Sequence, residues 1–217
     1  LAQPDRHAAV RYLTDAIDAL TGPSPGIRNE GLFATHELEF GVPRRKDWPE
    51  AIKKARPALR KRGKPLLESL GYRIEGIQGP VSMLKVGKKR MAVAVFLDQG
   101  ESPDLANQAY SDVSPVSYAL SRADEYDVPY VIILSGSKLR IHSTDPSAGV
   151  GRRGRTDTYL QLQLDLLPEA DAGYLWLFFA GENLLRSHAV DQILESSSRF
   201  SSDLGTRLRE RVYNDVV

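Results

Sequence analysis

RMAVAVFLD (residues 90–98), PVSYALSRADEYD (115–127), VPYVIILS (128–135) and KLRIHS (138–143) decide the fold of this chain. The first and third segments are almost continuously apolar, which is typical of strands buried on both faces, and the second has apolar residues at helical spacing. A helix that joins two strands of one sheet makes them parallel, with a right-handed crossover. The fourth segment alternates apolar and polar residues, which predicts an edge strand. This order of segments predicts an α/β protein with a mixed sheet.

The residues before this stretch predict a helical segment followed by a meander of three antiparallel strands. Two helices in series are expected between residues 48 and 70, because a proline at position 57 and the tripeptide GKP at 63–65 interrupt a helical pattern. Between residues 71 and 97, the turn signals GP (79–80) and GK (87–88) separate three short strands. The third of these strands is nearly all apolar, so we expect it to be central in the sheet.

The rest of the chain predicts one more strand and three more helices. An amphipathic helix is expected within the first 22 residues, followed by the connector GPSPGIRNEG (22–31), and TYLQLQLDLL (158–167) alternates as a strand. An apolar helix begins at Pro168, and a long amphipathic helix covers residues 188–217 without a C-terminal cap, so we expect a longer protein. We therefore divide the chain into a helical N-terminal segment (1–70), a mixed-sheet core (71–167) and C-terminal helices (168–217).

Composition excludes several classes of protein. The chain has 217 residues, of which 41% are hydrophobic and 26% are charged, so it can bury a core of ordinary size. It contains no cysteine, which excludes disulfides, thiolate metal sites and cysteine nucleophiles. No apolar run approaches the roughly 20 residues that span a bilayer, and the first residues lack the pattern of a secretory signal. We expect a cytoplasmic protein.

Basic residues are concentrated in the first half of the chain. Between positions 44 and 90 there are fifteen lysines and arginines against four acidic residues, although the net charge of the whole chain is only +1. A dense positive surface is what phosphate neutralisation on double-stranded DNA requires. The alternative is a solvated helix face. A second cluster lies in the glycine-spaced run GVGRRGRTD (149–157), which predicts a mobile loop. The DNA-binding candidates are Arg44, Arg45, Lys46, Lys53, Lys54, Arg60, Lys61, Arg62, Lys64, Lys88, Lys89, Arg152, Arg153 and Arg155.

Several motifs, taken in their order, resemble the N-terminal region of large single-chain type II restriction-modification enzymes. They include IRNEGLFATHELE, LLESLGYRIE, GRRGRTDTYLQLQLDLL, YLWLFFAGENLL and SSSRFSSDLGTRLRERVYNDVV. In such proteins an endonuclease-like domain precedes an adenine-N6 DNA methyltransferase and serves in phage defence. The resemblance implies a restriction-endonuclease-like PD-(D/E)XK core with N-terminal helices and a long C-terminal helix. It also implies Mg²⁺ as a possible cofactor, S-adenosylmethionine only in the missing downstream domain, and DNA and that methyltransferase domain as partners.

The nuclease fold that this family resembles places an acidic residue on its first helix, an aspartate at the start of the second strand, and Glu/Gln-x-Lys on the third. The carboxylates hold Mg²⁺, which activates water. Glu68 matches the helix position, but Val81 and Ser82 stand at the strand-two position and the third strand is apolar. We therefore expect the standard cleavage site to be degenerate.

A displaced acidic site after the third strand is the remaining catalytic candidate. Its expected members are the metal ligands Asp98 and Glu101, with Gln99 and Asp104 beside them and Lys85 or Lys88 near by. The alternative interpretation is a polar loop that caps the following helix. Two functions stay open: a DNA-binding, endonuclease-like module of a restriction-modification methyltransferase, and a non-catalytic scaffold of nuclease-like fold that docks a protein. No methyltransferase motif or histidine metal site is evident within these 217 residues.

Overall fold

A seven-stranded mixed sheet forms the centre of the computed structural model, which describes residues 23–98, 100–150 and 153–216. The sheet order is β1-β7-β6-β5-β4-β3-β2. The strands are β1 (Ile27–Glu30), β2 (Arg73–Gly76), β3 (Ser82–Val86), β4 (Lys89–Leu97), β5 (Tyr130–Ser135), β6 (Lys138–Ser143) and β7 (Tyr159–Gln163). The helix predicted within the first 22 residues lies outside the described residues.

Within the described residues, five α-helices accompany the sheet: α1 (Trp48–Ala55), α2 (Gly63–Ser69), α3 (Pro115–Glu125), α4 (Gly173–Phe179) and α5 (Ala189–Val216). The two helices in series and the long C-terminal helix are confirmed. The apolar segment after Pro168 is not one helix, because it divides into a 3₁₀ turn (Glu169–Asp171), α4 and a second 3₁₀ turn (Gly181–Leu184). The break occurs where the Gly181 N–H donates to the Leu70 carbonyl oxygen and leaves the helical ladder.

The connection through α3 sets the topology. β4 pairs with β5 in parallel from Ala92 opposite Tyr130 to Leu97 opposite Ser135, and every other neighbouring pair of named strands is antiparallel. The parallel pair and the antiparallel meander β2–β3–β4 are therefore confirmed. Ser114 begins α3, because its hydroxyl accepts a hydrogen bond from the Ser117 N–H at 3.1 Å.

The two faces of the sheet are covered by different helices. On one face, α1, α2, α4 and α5 bury the larger hydrophobic core, which includes Leu84, Ala94 and Ile132. On the other, α3 packs on β4 and β5, where Leu120 is buried against a smaller core. Truncating a leucine at such a position costs about 2–5 kcal/mol of folding free energy. Helices α2 and α3 therefore lie on opposite faces of the sheet.

Two further sequence expectations are wrong, and both concern the part of the sheet formed by β1, β7 and β6. The segment KLRIHS is not an edge strand, because β6 lies between β5 and β7. Its alternation has another cause: Arg140 and His142 are buried beneath loops rather than exposed to solvent. The predicted connector also contains an edge strand, since Ile27–Glu30 pairs with β7 as β1. Its only apolar residue is Ile27, so the pattern gave no periodic signal.

Candidate nucleic-acid interface

The predicted acidic site lies where β4 ends, and the Glu101 carboxylate is bonded within its own loop. Both oxygens of Glu101 are engaged: one accepts the Asp98 backbone N–H at 2.8 Å and the other accepts the Asn107 side-chain amide at 2.9 Å. Asp98 itself is exposed. The structure thus brings Asp98 and Glu101 into one turn and uses Glu101 to hold that turn, whereas Ser114 caps the following helix α3.

The remaining acids of the prediction lie elsewhere. Asp104 forms an ion pair with the buried guanidinium of Arg140 at 2.7 Å. Glu68 is exposed near the end of α2, and Gln99 is outside the described residues. Lys85 pairs with Glu75 at 2.5 Å on the neighbouring strand. Over residues 23–98, 100–150 and 153–216, no three His, Asp or Glu side chains are close enough together to hold a metal ion.

Arg140 is the most buried cation of this region. Its guanidinium lies 3.9 Å from the centre of the Tyr159 ring, and its Nε donates to Gln161 at 3.2 Å. Burying a charge requires this kind of pairing and stacking. Because Asp104 comes from the loop that follows β4, the ion pair fixes that loop over β6.

Two cations of the predicted basic segment, Lys64 and Arg62, lie near the end of β4. Lys64 on α2 lies over the ring of Phe96, 5.9 Å from its centre, and Phe96 precedes the end of β4 by one residue. Arg62 pairs with Asp165, which follows β7, and also donates to the Leu59 carbonyl oxygen at 2.6 Å. Strand register places the ends of β4, β5 and β7 and the start of β6 at one end of the sheet. The connection between α1 and α2 therefore reaches the β4 end.

The other predicted cations of residues 44–64 are partly neutralised. Arg45 pairs with Asp47 at 2.7 Å, Lys54 pairs with Glu182 at 3.2 Å, and Arg44 lies 6.0 Å from the centre of the Phe40 ring. The exposed cations of residues 44–64 that make neither an ion pair nor a ring contact with another described residue are Lys46, Lys53, Arg56, Arg60 and Lys61. Two of them, Arg60 and Lys61, belong to the α1–α2 connection at the β4 end.

A second group of cations lies at the opposite end of the sheet, where β4 begins. Lys88 and Lys89 are exposed at the β3–β4 turn, and Arg90 approaches Tyr126 of α3 to 5.9 Å from the ring centre. Arg122 lies 5.2 Å from the same ring and donates to the tyrosine hydroxyl at 3.2 Å. We call this group, Lys88, Lys89, Arg90, Arg122 and Tyr126, the α3 cluster.

The glycine-rich loop is tied to the same end of the sheet. Arg155 grips Asp124 of α3 with two nitrogens, at 2.7 and 2.9 Å, and donates to the Thr144 carbonyl oxygen at 2.9 Å. The bonds to Asp124 raise the pKa of Arg155. Arg153 pairs with Glu30 on β1, whereas Arg152 lies outside the described residues. Arg153 and Arg155, predicted to contact DNA from a mobile loop, are held by carboxylates.

His142 anchors this loop from below. Its Nδ1 lies 3.0 Å from the Arg155 carbonyl oxygen, and the side chain is fully buried against Tyr159. Burial lowers the pKa of His142 to about 4, because a charged imidazolium would lose its hydration there. The residue is therefore neutral at pH 7, and Nδ1 donates its hydrogen to the loop. Nε2 is buried and has no hydrogen-bond partner among the described residues.

A shallow groove of about 390 Å³ lies between α3 and the loop. It is lined by Ser117, Leu120, Ser121, Asp124, Arg155 and Thr156. Sequence reasoning missed Arg122, Tyr126 and Asp124, which sit on a helix expected only to cover the sheet. The available signal was the i, i+4 spacing of Arg122 and Tyr126 on the exposed side of an amphipathic helix.

Comparisons with protein-family models, curated proteins and solved structures found no match to this chain. The restriction-modification resemblance therefore stays a prediction. Among the described residues, no helix has both the length and the apolar character needed to cross a bilayer.

Proposed function

We propose that this chain is the DNA-binding, endonuclease-like module of a cytoplasmic restriction-modification or phage-defence protein, whose adenine-N6 methyltransferase lies downstream. The module contacts the phosphate backbone of duplex DNA at the β4 end of the sheet, through the α1–α2 connection. Its cleavage site is degenerate, so its contribution is binding rather than hydrolysis.

The observation that carries this proposal is the order of elements around β4. Helix α2 is followed by the antiparallel strands β2, β3 and β4, then by the crossover helix α3 and the parallel strand β5, and these strands are neighbours in the order β5-β4-β3-β2. That order is the one expected of a PD-(D/E)XK core. In it, the start of the second strand and the end of the third meet at one end of the sheet, since Ser82 pairs with Ala94.

The distribution of exposed cations supports DNA contact at the same end of the sheet. Arg60, Lys61 and Lys64 are exposed there, on the α1–α2 connection and the first turn of α2. Exposed cations at a sheet end are suited to phosphate contacts, which supply most of the affinity of non-specific DNA binding. Lys64 stacks on Phe96 and is therefore held close to the place where a nuclease of this fold would bind the scissile strand.

We propose a degenerate cleavage site because other residues stand where a nuclease of this fold carries its metal-binding carboxylates. β3 begins with Ser82, and β4 is apolar from Met91 to Leu97. Glu101, the nearest replacement, has both oxygens committed to the turn. A two-carboxylate Mg²⁺ site would require Glu101 to release those bonds.

The proposal is tested by the salt dependence of duplex binding. We expect the purified chain to bind a duplex of about 20 base pairs of arbitrary sequence, measured by fluorescence anisotropy. With three phosphate contacts, the slope of log K against log salt concentration is about −2.7. Affinity that is flat with salt, or undetectable at low salt, would contradict the proposal. Incubation of plasmid DNA with Mg²⁺ or Mn²⁺ should leave it uncut.

A protein-docking scaffold is the second candidate, and one observation favours it. Phe40 is 46% exposed and Leu204 on α5 is 47% exposed. His36 links Phe40 to helix α5: the centre of its ring lies 5.1 Å from that of Phe40 and 4.3 Å from that of Phe200, on which it stacks. Aromatic and apolar residues of this kind are enriched at protein interfaces. Undetectable DNA binding would favour this function.

A further inference from the structure

We infer that the groove between α3 and the glycine-rich loop is a phosphate-binding site, in which Asp124 occupies the fork of Arg155 until a phosphate group replaces it. This site lies at the opposite end of the sheet from the proposed DNA contact. It goes beyond the proposed function, because it can take a phosphate from a small molecule as well as from a DNA backbone.

The guanidinium of Arg155 is positioned before any ligand arrives. One nitrogen is held by the Thr144 carbonyl oxygen at 2.9 Å, and the carbonyl oxygen of Arg155 itself meets the buried His142 at 3.0 Å. Gly149 fixes the start of the loop: its φ is +109°, and a Cβ there would lie 2.6 Å from the Gly31 carbonyl oxygen. The fork therefore stays in place when Asp124 leaves it.

Asp124 marks where an oxyanion sits. Its two oxygens accept from two nitrogens of Arg155, at 2.7 and 2.9 Å, which is the paired geometry that arginine also offers to phosphate. The Asp124 side chain is 47% exposed and that of Arg155 is 32% exposed. Water competes for both partners of an ion pair with this exposure, so an incoming phosphate can displace the carboxylate.

Hydroxyl groups supply the remaining contacts. Ser117, Ser121 and Thr156 line the groove beside the arginine. Ser117 accepts a hydrogen bond from the Ser114 hydroxyl at 2.9 Å, which leaves its own hydrogen available to a ligand oxygen. One arginine fork and three hydroxyl donors around an open groove suit a tetrahedral oxyanion with up to four acceptor oxygens.

Binding is tested first with inorganic phosphate, by thermal unfolding and calorimetric titration of the full chain against chloride at equal ionic strength. We expect wild type to bind phosphate at millimolar concentration. Asp124→Asn should bind about five-fold more tightly, because the competing charge is gone, and Arg155→Ala should lose binding. In the double variant Asp124→Asn/Arg155→Ala the gain should disappear, since Arg155 is what the carboxylate competes for.

Asp127→Asn is the matched control. It removes one negative charge three residues from Asp124, at an exposed position in no ion pair with another described residue, and its positive φ of 52° is one that asparagine tolerates. We expect its phosphate affinity to change less than two-fold. Arg155→Lys keeps the charge without the fork and should lose at least half of the affinity. An equal gain in Asp124→Asn and Asp127→Asn, or phosphate binding that survives in folded Arg155→Ala, would overturn the inference.

A second arm identifies the source of the phosphate. If DNA uses the groove, Asp124→Asn tightens duplex binding and Arg155→Ala makes its salt slope shallower by about 0.9. If a small ligand uses it, these variants change phosphate binding and leave duplex binding unaltered. Either result supports the site. If the variants change neither phosphate binding nor duplex binding, the site is overturned. If the wild-type chain does not bind duplex DNA but its phosphate binding responds to the variants as expected, only the proposed function is contradicted.

Discussion

At the end of the sheet where β4 finishes, Glu101 is bonded within its own turn, while Arg60 and Lys61 face solvent. At the opposite end, where β4 begins, carboxylates hold Arg153 and Arg155 of the glycine-rich loop, while Lys88 and Lys89 of the β3–β4 turn stay exposed. The same residue types therefore do different work at the two ends. Charge counted along the sequence does not distinguish an available cation from a neutralised one, but pairing in the fold does.

The largest expected effect is the loss of stability on acidification at the β4 start. His142 has its pKa lowered to about 4, against about 6.5 in the unfolded chain, so only the unfolded state takes up this proton between those values. Above pH 6.5 its contribution to stability is complete. As the pH falls to about 4, the unfolding free energy decreases by about 1.4 kcal/mol per pH unit, or about 3 kcal/mol in all.

The measurement is urea unfolding of wild type and His142→Asn from pH 7.5 to 4.5. Asparagine can donate to the Arg155 carbonyl oxygen but does not titrate, so the variant should lack this part of the pH dependence. Parallel curves for the two proteins would show that His142 takes up no proton on unfolding in this range.

The next effect concerns the tie between β6 and the loop after β4. Arg140→Ala removes a buried side chain that stacks on Tyr159, and we expect it to cost about 2–3 kcal/mol of unfolding free energy. Asp104→Ala should cost about 1–2 kcal/mol, because the buried Arg140 guanidinium loses its carboxylate but keeps Gln161 and the Tyr159 ring. Chemical denaturation of both variants measures the two losses of unfolding free energy. A larger loss for Asp104→Ala than for Arg140→Ala would contradict the view that the buried Arg140 makes the larger contribution.

A smaller effect distinguishes a structural Glu101 from a catalytic one. Glu101→Gln keeps an oxygen for the Asp98 N–H but presents an amide to Asn107, so stability should fall by about 1 kcal/mol. Duplex binding and its response to Mg²⁺ should not change. Serine at position 102 gives a nearby control, since Ser102→Ala removes only an exposed loop bond to the Asp104 N–H. Loss of a Mg²⁺-dependent activity in Glu101→Gln alone would restore the displaced metal site.

The smallest effect is expected at the ion pair of the β4 end. Arg62→Ala breaks the pair with Asp165, in which both side chains are partly exposed, and should lower stability by no more than about 1 kcal/mol. Duplex affinity should fall about two-fold, because the neighbouring Arg60 and Lys61 remain. A loss of ten-fold or more would mean that Arg62 leaves Asp165 to contact DNA directly.

Local patterns predicted most of the fold. The crossover helix, the parallel pair and the meander follow from apolar periodicity and turn signals that lie within a few residues of one another. The position of β6 could not be predicted, because its polar residues are satisfied by distant partners: Arg140 by Asp104, and His142 by Arg155. β1 was missed for the same reason, since only pairing with β7 makes it a strand.

The candidate site was less predictable than the fold. Lys88 and Lys89 were found because they lie in a basic run, whereas Arg122 and Tyr126 are ordinary residues of an amphipathic helix. What groups them is the register of β4 on β5, which brings the β4 start beneath the end of α3. Sequence spacing contains no information about that register.

The most direct test of the account compares duplex binding by Arg60→Ala/Lys61→Ala with that by Lys88→Ala/Lys89→Ala. Each double variant removes two exposed cations, so their net charges are equal and only the end of the sheet differs. We predict that the first pair makes the salt slope shallower by about 1.8, the value for two lost phosphate contacts, and that the second changes it by less than half as much. Equal changes, or a larger change for Lys88→Ala/Lys89→Ala, would contradict DNA binding at the β4 end.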